Sequence, residues 1–143
     1  MYLVKINRLY TCIACSLHLV RCDNTVIRNV SIFGDFKSPN NDGIDITDSN
    51  NTVITDCHID TGDDALCPKS SAGPVYNLTA TNCWIRTKSC ATKFGSASFF
   101  NFNKLVFDNI TIVDSHRGLG MQIRDGGTKL CLHLSVCSHT SSV

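Results

Sequence analysis

Asn24-Thr-Val-Ile-Arg-Asn-Val-Ser-Ile32, Asn51-Thr-Val-Ile-Thr-Asp-Cys-His-Ile59, Asn77-Leu-Thr-Ala-Thr-Asn-Cys-Trp-Ile85 and Lys104-Leu-Val-Phe-Asp-Asn-Ile-Thr-Ile112 superimpose without gaps. Their last residues, Ile32, Ile59, Ile85 and Ile112, fall 27, 26 and 27 residues apart. Asn29, Asp56, Asn82 and Asn109 repeat in the same register, each three residues earlier. Val30/Ile32, Cys57/Ile59, Cys83/Ile85 and Ile110/Ile112 alternate with Ser31, His58, Trp84 and Thr111. That is the period of a strand with one buried face, not of a helix. Short β-branched strands, little helix propensity and a polar residue at a fixed bend fit the coils of a parallel β-helix, in which each coil buries its apolar face only against the next. The fold class is therefore all-β, a solenoid of 26–27-residue coils with about four to five coils present. Asparagines stacked at the bend can bond to one another as a ladder, and Cys57 and Cys83 stack inside as small apolar residues.

The repeat has an end. From Asn109 and Ile112 it calls for Asn near position 136 and Ile near 139, where Val136 and His139 stand. The sequence thus divides into a partial β-helix domain over 1–127 and a non-repeat tail over 128–143. Coils without terminal caps leave unpaired sheet edges and apolar coil interior exposed, so instability or aggregation of the isolated chain is expected.

Composition narrows the function. The 143 residues are 43% hydrophobic, enough for one core. A net charge of +1 without a basic run speaks against nucleic acid or an anionic membrane as partner. No apolar run reaches the ~18 residues of a membrane span. Every acidic residue is Asp and none is Glu, a turn-rich rather than helical bias. Nine cysteines, with Cys12 and Cys15 as an isolated CxxC, favour an oxidising compartment. Lys5 and Arg8 precede an apolar stretch from Leu9 to Val20, but His18 interrupts it and no small-residue cleavage site follows, so it makes no convincing secretory leader.

After each copy comes a polar turn and a small residue: Gly43, Ala65, Ala91 and Gly118 align. Stacked at the ~4.7–4.9 Å strand spacing, matching columns become neighbours. Asp42, Asp64, Cys90 and Arg117 then form one line, with Asp63, Ser89 and His116 beside it. Three carboxylates on adjacent coils repel, which raises at least one pKa. Two carboxyl groups in opposite protonation states are the machinery of glycoside hydrolysis.

Asn40-Asn-Asp-Gly-Ile-Asp-Ile46 and Thr61-Gly-Asp-Asp64, with the coil between them, resemble the polygalacturonase-like glycoside hydrolases of family twenty-eight, over roughly residues 16 to 127. The resemblance implies a right-handed parallel β-helix, inverting hydrolysis of pectic or related polysaccharide, and a secreted or cell-wall protein, monomeric when complete. It implies no metal or organic cofactor. By position, Asp63 resembles the general acid, and Asp42 and Asp64 the pair that holds and deprotonates the attacking water. The family's Gly-His-Gly turn falls at Ser89-Cys90-Ala91 and its Arg-Ile-Lys at Gly120-Met121-Gln122, so both cationic elements are replaced. His116, Arg117, Lys93 and Arg124 are the candidate substitutes for binding substrate. Lys69 and Phe99, Phe100 and Phe102 are further residues able to line sugar subsites, although a Phe-rich turn packing on the coil is the commoner explanation of the aromatic stretch. Two other readings share the scaffold. One is a calcium-dependent pectic polysaccharide lyase with Arg117 as base. The other is a non-catalytic carbohydrate-binding fragment.

Overall fold

The computed structural model describes residues 2–4, 8–11, 16–126 and 130–138. Cys12, Cys15 and most of the charged start of the N-terminal stretch lie outside these residues, as does the expected boundary at Gly127. All elements among the described residues are strands, and all their pairings are parallel. None of them is a helix able to cross a membrane.

Each coil contributes strands to three faces. The first face stacks β1 (Tyr2–Val4), β4 (Thr25–Arg28), β7 (Thr52–Thr55) and the starts of β10 (Val75–Thr87) and β12 (Phe102–Ile112). The second stacks β2 (Arg8–Thr11), β5 (Ser31–Gly34), β8 (His58–Thr61) and the ends of β10 and β12. The third is a five-stranded sheet of β3 (Leu17–Val20), β6 (Ile44–Thr47), β9 (Leu66–Lys69), β11 (Cys90–Phe94) and β13 (Arg117–Met121). This is the parallel β-helix that the repeat implies.

The register is the one read from the repeat: Ile32 pairs Ile59, Ile59 pairs Ile85, and Ile85 pairs Ile112. Ile27, Ile54, Ala80 and Phe107 stack in a second buried column, with Ile44, Leu66 and Phe94 facing them from the third sheet. Cys57 and Cys83 are buried free thiols, each donating to a carbonyl two residues earlier. β14 (Leu130–Ser138) differs from the expectation that the ladder ends near Gly127. It runs parallel to β12 with two register shifts. Backbone pairing needs no side-chain repeat, so a strand can extend the sheet where the Asn and Ile positions are lost.

Asparagines form two ladders rather than one. Asn109 donates to Asn82 at 2.8 Å and Asn82 to Asp56 at 3.4 Å. At the other bend Asn77 donates to Asn51 at 2.8 Å and Asn51 to Asn24 at 3.2 Å. These residues share φ between 50° and 56°, the left-handed region that Asn and Asp tolerate best among residues with a side chain. Asn82→Ala is expected to cost about 1–3 kcal/mol, from the left-handed backbone and the broken ladder. Asn82→Gly should restore the backbone part, read as the shift of the urea midpoint.

Candidate active site

The third sheet carries the acidic cluster on its outer face. Gly43 N donates to Asp64 O at 2.8 Å, Ala65 N to Cys90 O at 2.9 Å and Arg117 N to Ser89 O at 2.9 Å. These bonds, with Cys90 paired to Arg117, place Asp42, Asp64, Cys90 and Arg117 in one column, as the repeat register requires. The small-residue column behind it is sterically necessary at Gly43. A Cβ there would lie 2.4 Å from the Ala65 carbonyl oxygen and 2.6 Å from Ile59 Cγ2.

Asp42 and Asp64 are buried, and a carboxylate oxygen of each lies within 4.8 Å of the other and of Cys67 Sγ. Asp64 is held from three directions. Lys93 Nζ donates to its Oδ2 at 2.5 Å, while Ser89 Oγ and Cys90 N donate to its Oδ1 at 2.7 and 3.2 Å. Lys69 Nζ bridges Asp42 at 3.0 Å and Asp45 at 2.6 Å. Asp63 is half-buried, and its Oδ1 accepts the Asp64 N–H at 2.9 Å. Among the described residues it is the one carboxyl of the three without an ammonium partner.

Burial, reinforced by the charge of Asp45, pushes Asp42 up to about 6 although Lys69 opposes it. Of the three aspartates Asp42 is thus the one raised, by burial first and by the charges of Asp45 and Asp63 after it. Burial opposes the charge of Lys69 too, but the carboxylates of Asp45 and Asp42 more than offset it, so its pKa stands above the ordinary value. Lys93 follows the same logic through Asp64. Burial holds the Cys67 thiol protonated, and it donates to Gly95 O at 3.0 Å. An ammonium thus already sits on Asp42 Oδ2 and on Asp64 Oδ2.

The four candidate binding residues separate into three places. Lys93 and Arg117 line a cleft of about 480 Å³ with Ser89, Cys90, Gly120, Met121 and Gln122, next to Asp64. Exposed His116 lines a different cleft, with Phe36 and Lys88. Arg124 is exposed in the turn beyond β13, where its N–H bonds to Ser98 Oγ at 2.8 Å, and it does not join the cluster. Asp45 was not singled out from the sequence, and Lys69 was read as lining a sugar subsite rather than as the bridge between Asp42 and Asp45. The available signal was strand alternation, which puts Asp45, Cys67 and Lys69 on one outward face one coil apart.

Comparison with known proteins gives a consistent picture. Residues 7–120 match the model of the family described as glycosyl hydrolases family 28. A polygalacturonase of Juniperus ashei is 34% identical, over 82% of this chain and 24% of its own length. An exopolygalacturonase of Zea mays is 27% identical, over 80% of this chain and 36% of its own. The crystal structure of a hyperthermoactive exopolygalacturonase from Thermotoga maritima superimposes with a TM-score of 0.71 at 27% identity, covering 76% of this chain and 26% of that one. The chain therefore spans between about a quarter and a third of the length of these relatives.

Proposed function

The chain belongs to the glycosyl hydrolases of family 28, and from that premise we propose that it hydrolyses O-glycosidic bonds of pectic polysaccharide outside the cell, with inversion, through Asp63, Asp42 and Asp64. The observation that supports this reading best is the stacking of Asp42 on Asp64 within 4.8 Å with Asp63 alongside, on an outer face of a rigid sheet. Asp42 and Asp64 hold one water between them and take its proton. Asp63, the one carboxyl of the three without an ammonium partner among the described residues, gives its proton to the leaving oxygen from the other side of the bond. Lys69 and Lys93 keep the buried pair aimed, and Asp45 keeps Lys69 in place.

A pH dependence follows. The water-holding pair acts only when ionised, so turnover should rise with pH through about 6, the value at which Asp42 titrates. Because this pKa lies above that of an unfolded Asp, ionising Asp42 also costs stability. Its contribution is fully present below about pH 4 and is lost as pH rises through about 6. Lys69→Met removes the cation that opposes both effects. Its expected result is an acidic limb of the pH–rate profile displaced upward by about one pH unit or more. An unmoved limb would mean that Asp42 does not set it.

A further inference from the structure

A second cleft adjoins the first along the segment of residues 87–90, and the catalytic reading gives it no task. It is an open depression of about 710 Å³ between Phe36, Arg86, Thr87, Lys88, Asp114, Ser115 and His116. Its segments come from separate coils. The turn of Asp35–Ser38 lies directly on Gly62, where a Cβ would meet Asp35 O at 2.9 Å and Phe36 Cα at 3.3 Å. That turn is fixed by Lys37 N and Ser38 Oγ, which donate to the Asp35 carboxylate. From the coil beyond, Thr87 Oγ1 donates to Asp63 O. The cleft is thereby joined to the acid at two points, through Gly62 and through Thr87.

Its charges are unequal in availability. Arg86 is committed to Asp60, with Nε to Oδ1 at 3.0 Å and Nη2 to Oδ2 at 2.5 Å. Lys88 is exposed and uses one N–H on Phe36 O at 3.3 Å, which leaves donors of its ammonium for a ligand. Both cations sit over the Phe36 ring, Arg86 Cζ at 5.1 Å and Lys88 Nζ at 5.3 Å from its centroid. The ring fixes the flexible ammonium before anything binds, which lowers the cost of ordering it. His116 adds a further ring N–H donor from the next coil.

We infer that this cleft is a subsite for a carboxylated sugar unit, in which Lys88 and His116 bind the carboxylate and Phe36 is a positioning residue. The inference rests on the hydrolase reading above and deepens it. A polymer crossing the column from Lys93 and Arg117 to Lys88 and His116 would have its uronate units held on both sides of the bond cleaved. It also accounts for an acidic-polymer site in which the family's His and Arg-Ile-Lys positions are occupied by Cys90 and by Gly120-Met121-Gln122.

The test is calorimetric binding of a galacturonate pentamer and of its fully methyl-esterified counterpart to the chain carrying Asp63→Asn, so that no turnover intervenes. The acid should bind more tightly, and adding Lys88→Gln should lower the acid-to-ester preference about tenfold. Lys88→Arg should restore most of it, and Phe36→Leu should lower it partway, with Phe36→Tyr recovering it. An acid-to-ester preference left unchanged by Lys88→Gln overturns the subsite while leaving the hydrolase reading intact. If neither pentamer binds and the unmodified chain cleaves no pectic oligosaccharide, the hydrolase reading falls and the subsite with it.

Discussion

Asp63→Asn is expected to lower kcat on pectic oligosaccharides about 10²–10⁴-fold, the range spanned by removal of a general acid. Affinity should change far less, because the amide keeps the size of the carboxyl and can still accept the Asp64 N–H. The side chain is half-buried and makes no ion pair to a lysine, so folding should not obscure the result. The same change at Asp64 would be harder to read. It would strand the Lys93 ammonium at 2.5 Å and disturb the Ser89 and Cys90 contacts, mixing lost chemistry with lost structure. A substrate whose leaving group needs no proton should recover much of the rate in Asp63→Asn. Equal loss on both substrates would take the acid's role away from Asp63.

The largest effect on stability is expected at Phe94. It is fully buried, with its ring edge-on to Phe102 at 5.7 Å and to Phe107 at 5.8 Å, and so joins the third sheet to the first. Phe94→Ala removes a full aromatic side chain and leaves a cavity between rigid strands, at a cost of about 3–5 kcal/mol. Against the ~5–15 kcal/mol that ordinary domains possess, that is a large share. Phe94→Leu should cost roughly 1–2 kcal/mol, read as the shift of the urea unfolding midpoint. The site should suffer as well, because Phe94 follows Lys93 on β11 and anchors the strand from which Lys93 reaches Asp64.

What could be read in advance was whatever repeats. A parallel ladder transmits register from coil to coil, so the spacing of Ile32, Ile59, Ile85 and Ile112 fixes which residues stack. The column of Asp42, Asp64, Cys90 and Arg117 follows from the same spacing. Side-chain reach does not repeat, which is why Lys69 bridging Asp42 and Asp45 was not visible as such. Loops escape the period altogether: nothing in Asp35-Phe36-Lys37-Ser38 announces that it folds onto Gly62 and lays Phe36 beneath Lys88. His116 and Arg117 are adjacent in sequence yet serve different clefts, since neighbouring side chains at the start of a strand diverge. The lost Asn and Ile positions hid β14 for a related reason, since its register on β12 carries two shifts.

On the proposed reading Asp42 and Asp64 activate a water and Asp63 protonates the leaving oxygen, which is a single displacement. Proton NMR of the first product formed from a pectic oligosaccharide, recorded before mutarotation, reads this directly. The roles proposed for Asp42, Asp64 and Asp63 predict that the new reducing end carries the anomer opposite to that of the bond cleaved. A retained anomer, or an unsaturated sugar in place of a hydrated one, would contradict it.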